Sequence, residues 1–135
     1  MKMAYVYLKM PHLDNQSLTF QNYDNKKIIG TAITGVIGAD IYNNFKIENL
    51  SIIVKFDDGK ILHLKLDTTS QKFYSSSLGA TVILNHTLSQ DEINQFLDDK
   101  IELIRIGLNG DNGIDYSAID EKKQKEILKA VEYIN

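Results

Sequence analysis

Three histidines, His12, His63 and His86, are the residues best suited by type to general acid–base work, and they are widely separated in the chain. No pair of them has the i,i+4 spacing that places two ligands of a zinc site on one helical face. Cysteine is absent, which removes thiolate ligands, thiol nucleophiles and disulfides together. A general base also needs a nucleophile and an orienting partner. The run Ser75-Ser76-Ser77 sits in no G-x-S-x-G elbow, the setting that would activate a serine. Two acidic pairs, Asp57-Asp58 and Asp98-Asp99, could supply carboxylates, but neighbouring side chains of a strand or turn point apart. Both read as turn and helix-end residues, so no catalytic residue and no metal ligand is assigned.

Phosphate and calcium motifs fail on similar grounds. Gly30 and Gly35 have the spacing that opens a P-loop, yet Val36-Ile37 stands where lysine and a hydroxyl must contact phosphate and Mg²⁺. The G-x-G-x-x-G fingerprint of dinucleotide binding is missing. Asn109 to Asp120 imitates a calcium loop at Asp111, but Gly113 occupies the fifth position, Ile114 the glycine position and Asp120 the place of a bidentate glutamate. That stretch reads as a turn, and no cofactor is expected. Sequons at Asn15, Asn49 and Asn85 matter only in a glycosylating pathway.

Two features resist this elimination. Arg105 lies between Ile104 and Ile106 in an apolar stretch. An arginine there faces water by alternation or makes an ion pair, with Glu102 and Asp115 as the near candidates. Phe73 and Tyr74 are adjacent aromatics in a polar Ser/Thr-rich segment, residues 67–79, which reads as a loop. One of them can anchor that loop to the core while the other stays exposed, as aromatic anchors of interfaces do.

Composition sets the frame for these residues. The chain has 135 residues, 24% charged and 43% hydrophobic, which is ordinary for one globular domain spanning 1–135. A chain of this length can bury about two-thirds of its unfolded surface, so it needs no staples. Net charge is −3, and Arg105 is the sole arginine among 15 basic residues. Nucleic acid is therefore not an expected partner, since phosphate neutralisation calls for a basic face and arginine supplies the bidentate contacts. No apolar run approaches the ~18 residues of a membrane span, and residues 1–10 lack the apolar stretch of a signal peptide. Cytoplasmic is the default expectation, or periplasmic or secreted if a leader has been removed.

Periodicity then places the elements. Residues 4–10 alternate Val6 and Leu8 against Tyr5, Tyr7 and Lys9 as a strand closed by Pro11. Residues 11–27 are polar, with Leu18 and Phe20 as weak anchors, and read as a long connection with room for a short strand. The β-branched run 27–41, punctuated by Gly30, Gly35 and Gly38, reads as a strand with bends. Residues 50–56 and 61–66 alternate around Asp57-Asp58-Gly59-Lys60, a hairpin signal. A strand follows at 80–84. Ser89 and Glu92 form a capping box opening a short helix near 90–98, which buries Ile93, Phe96 and Leu97. Residues 101–108 and 114–119 read as strands around a turn. Asp120 caps a helix near 120–134 that presents Ile127, Leu128, Val131 and Ile134 on one stripe. Together these predict an α+β fold, mainly an antiparallel sheet, in one layer or two.

The segment Leu88-Ser89-Gln90-Asp91-Glu92-Ile93, followed by Lys100 to Ile106, a hairpin and a lysine-rich closing helix, resembles small uncharacterised bacterial domains of the Bacteroidetes type. The likeness covers residues 85–134. It implies an α+β or strand-rich fold, often in periplasmic or lipid-anchored proteins, and carries over no functional residue.

The leading expectation is a non-catalytic domain that binds another protein, in the manner of an accessory or inhibitor protein, with Phe73 and Tyr74 at the contact. The rival is a small hydrolase or ligand-binding protein with a site assembled from scattered His, Asp, Ser and Tyr side chains. A cleft holding His63 or His86 beside a carboxylate favours the rival, and a flat, exposed apolar patch around Phe73 and Tyr74 favours the first. Self-association through an exposed sheet edge is a third course.

Overall fold

Local signals with a full hydrogen-bonding rationale form as their residues dictate. The computed structural model describes residues 1–10, 13–110, 112–116 and 119–135, with backbone alone at 10 and 13–15. Pro11, His12 and Asp111 lie outside the described residues. Strands β4 (Ser51–Phe56) and β5 (Ile61–Lys65) pair antiparallel around Gly59, whose φ of +89° only glycine adopts freely. Helix α2 (Gln90–Asp98) opens with Ser89 accepting from the Glu92 amide while Glu92 accepts from the Ser89 amide, a complete capping box. Helix α3 (Glu121–Ile134) begins at Asp120, whose carboxylate accepts from the Lys123 amide.

Elsewhere the chain departs from its local pattern. Strands β1 (Lys2–Met10), β2 (Leu13–Tyr23) and β3 (Lys26–Ile33) are consecutive antiparallel neighbours. The polar stretch read as a long connection with room for a short strand is thus mostly strand. Leu18 and Phe20 point into the core while Ser17, Thr19 and Gln21 face out, and polar outward positions disguise the alternation. Asp24 and Asn25, with φ of 52° and 63°, make the tight turn into β3.

The run 27–41, read as a strand with bends, is not one strand. It breaks after Ile33 and becomes helix α1 (Gly35–Asn44). A Cβ at Gly38 would stand 2.7 Å from the Ile33 carbonyl oxygen and 3.1 Å from that of Ala80. Glycine there lets the helix backbone lie directly on the sheet, and Ile41 is driven fully into the core. Packing overrides the strand propensity of the branched residues.

Residues 67–79 likewise hold a strand rather than only a loop. β6 (Gln71–Ser75) pairs with β7 (Gly79–Thr87), which also pairs with β3. β8 (Ile101–Asn109) pairs with β4 and with β9 (Asn112–Asp115). β9 ends at Asp115, earlier than the periodicity predicts; residues 117 and 118 fall outside the described residues.

Two antiparallel sheets result, ordered β1-β2-β3-β7-β6 and β5-β4-β8-β9, sharing one apolar core. Phe20 of the first, Phe56 of the second and Phe96 of α2 meet edge to face, with centroids 6.3 and 5.8 Å apart. Ile127, Ala130, Val131 and Ile134 of α3 join this core, with α3 lying along β1 and β2. Leu128 is not on the buried stripe; it is half-buried between α3 and α2. Tyr116 pins the sheets together. Its hydroxyl lies 2.7 Å from Thr31 Oγ1 of β3, which itself donates to the Ser17 carbonyl.

Candidate functional site

Alternation along the second sheet gathers His63, Ile53, Arg105 and Asp115 into one cross-strand row on its outer face. Arg105 Nε and Nη2 donate to the two carboxylate oxygens of Asp115, at 2.5 and 3.2 Å. Of the two candidate partners, Asp115 is the one engaged in this fork-on-fork contact. Hairpin register puts it directly opposite, whereas Glu102 pairs with Lys55 at 3.7 Å. The arginine is therefore on the wet face, half-exposed, and shapes the surface rather than the core. Lys55, Ile61 and Leu103 complete a hollow of about 230 Å³ around His63 and Arg105.

His86 is placed differently. Its Nδ1 faces the Lys65 carbonyl at 2.6 Å and its Nε2 faces Glu92 Oε1 at 2.9 Å. Both partners are acceptors, so only a doubly protonated ring makes both bonds. Burial pushes the Glu92 carboxyl up, but the Ser89 amide and the His86 ring outweigh it and hold it below its ordinary value. Around this pair the 67–70 segment is stitched to β7. Asp67 accepts from the Thr87 amide and hydroxyl, and Ser70 Oγ receives the Asn85 amide. The histidine beside a carboxylate is thus a tie between strands and helix, and it lines none of the hollows described.

Phe73 and Tyr74 sit on β6, the last strand of the first sheet, and so project to opposite faces. Phe73 is half-buried, paired with Thr81, and Tyr74 is 73% exposed. Leu78, in the turn leading to β7, is 57% exposed. Val36 is 79% exposed at the start of α1, two residues before the glycine that touches Ala80, the strand partner of Tyr74. Register and the Gly38 approach place all three positions toward the β6–β7 turn end of this sheet, beside an edge strand. Tyr74 had a sequence signal in its aromatic neighbour; Val36 and Leu78 had none, because their positions at this end of the sheet are set by the α1 dock and the β6–β7 turn.

A hollow of about 530 Å³ lies between α2 and α3 beside β8, and no histidine lines it. Among the described residues no group of three His, Asp or Glu side chains is placed to hold a metal ion. Among the described residues no helix is long and apolar enough to cross a membrane. The chain matches no protein-family model, no curated protein and no solved structure.

Proposed function

We propose that this domain binds another protein, without catalysis of its own, at the β6 end of its five-stranded sheet. The observation that carries this reading is the coincidence of exposed Tyr74, Leu78 and Val36 with a strand whose outer side pairs with no other strand among the described residues. An unpaired edge offers main-chain donors and acceptors to an incoming extended segment, while flanking aromatic and aliphatic side chains select its residues. The partner is an extended segment of another protein laid along β6, with Tyr74 as the anchor on one face and Phe73 below the other.

The test pairs affinity capture with hydrogen exchange on the recovered complex. Wild-type protein should retain one stoichiometric partner, the Tyr74→Ala/Leu78→Ser variant should lose it while keeping its melting temperature, and β6 amides should become protected on binding. A partner held equally by the folded variant, or a complex that leaves β6 amides unprotected, overturns the reading. Protection centred instead on His63 and Arg105 would move the function to the hollow on the second sheet.

A further inference from the structure

We infer that the groove between α2 and α3 is a second docking site, and that it takes a basic amphipathic helix of a partner protein. Leu97, Ile119 and Leu128 are half-buried along it, leaving an apolar floor that the core does not cover. Its volume of about 530 Å³ lies in the range of true ligand pockets. Gln124 fixes its walls: its Oε1 accepts from the Ile101 amide at 3.1 Å and its Nε2 donates to the Ile101 carbonyl. A groove wall tied by a side chain to the neighbouring main chain is preformed, which lowers the cost of binding.

Charge commits the occupant. Asp57, Asp98, Asp99, Glu102 and Glu121 line the groove against only Lys100 and Lys125. Asp99 and Glu102 are partly answered by Lys60 and Lys55, at 3.8 and 3.7 Å. Asp57, Asp98 and Glu121 make no ion pair among the described residues. Asp98 ends α2, where the carbonyl end of the helix dipole disfavours a carboxylate and no basic residue stands in the last turn. A carboxylate placed against its own helix, without local compensation, is the kind of local conflict found at functional or strained positions. A helix with leucine-type residues on one stripe and lysines beside it would pack on Leu97 and Leu128 and bring ammonium groups to these carboxylates.

The experiment uses the full chain and a displayed library of amphipathic helices. Leucines are fixed at every third or fourth position, and lysine or glutamate is equally allowed at the flanking positions. The selected pool should favour lysine over glutamate by about tenfold. The best peptide should shift the methyl resonances of Leu97, Ile119 and Leu128. Asp98→Lys/Glu121→Lys should reverse the charge preference, and Asp98→Lys alone should weaken the lysine peptide without lowering the melting temperature. A pool without lysine preference, shifts confined to other faces, or no binder at all overturns the inference. So does a self-dimer dissociated by the same variants, which would make a second copy the occupant. The β6 variant Tyr74→Ala/Leu78→Ser should bind the peptide normally, which separates this site from the proposed edge-strand interface.

Discussion

Tyr116 offers the most quantitative check on how the two sheets are joined. The side chain is only 2% exposed, and burial pushes its hydroxyl from 10.0 up to about 12, with the Thr31 hydrogen bond opposing that rise. Thr31 Oγ1 already donates to the Ser17 carbonyl, so the Tyr116 hydroxyl is the donor between the two residues. At neutral pH, Tyr116→Phe removes that one donated bond and leaves Thr31 with its other partner, a loss of about 1 kcal/mol. Thr31→Val is the harsher change, because it strands a buried hydroxyl, at about 1–3 kcal/mol.

Alkali should invert the order of wild type and Tyr116→Phe. The folded-state pKa lies above the unfolded value, so this contribution is whole below pH 10.0 and is lost as pH rises toward about 12. Within that window the unfolded chain ionises Tyr116 and the folded chain does not, at about 1.4 kcal/mol per pH unit. Phenylalanine has no such loss. The wild-type advantage of about 1 kcal/mol at about pH 8 should therefore vanish near pH 11. Urea unfolding of both proteins at these two pH values, followed by circular dichroism, measures the difference directly, and titrations common to both proteins cancel. A difference that stays constant between the two pH values would refute the buried, hydrogen-bonded placement of Tyr116.

Phe96→Ala should cost about 3–5 kcal/mol and lower the melting temperature by about 10–20 °C, because the ring fills the junction of both sheets with α2. A fall of less than about 4 °C on thermal melting would contradict that packing. Ile127→Asp should abolish folding by burying an unpaired charge in the core, while Leu128→Asp, at the half-buried groove, should leave a cooperative urea transition. Equal losses from the two would show that α3 is rotated about its axis from the stripe described.

The elements legible in the sequence are those whose signal is local. Asp58-Gly59, Ser89 with Glu92, and Asp120 each satisfy their own backbone within a few residues, so type and spacing suffice. What escaped was set by distant partners. β2 is polar on its outward side, and only the sheet on either flank reveals its alternation. α1 is a branched, glycine-broken run that becomes helical because Gly38 permits contact with the Ala80 carbonyl more than forty residues away. β6 hides in a serine-rich stretch and is a strand because β7 is there to pair with it. Among candidate site residues, Arg105 with Asp115 was within reach because one hairpin fixes their register. The α2–α3 groove was not, since Asp57, Asp98 and Glu121 come together only through the packing of α2, α3 and β8.

His86 shows how a residue of catalytic type can be spent on architecture. A histidine beside a glutamate is the pairing that acid–base chemistry uses, provided one ring nitrogen faces a substrate. Here both nitrogens are engaged, one by the Lys65 carbonyl and the other by a carboxylate that is itself closing the capping box of α2. Losing the ring would free the start of α2 from β7 and from the end of β5 at once, so its bonds serve the packing of α2. That packing in turn holds Leu97 and Asp98 opposite α3. Leu97 and Asp98 line the hollow proposed above as a docking groove, so the ring acts on that surface only through the placement of α2.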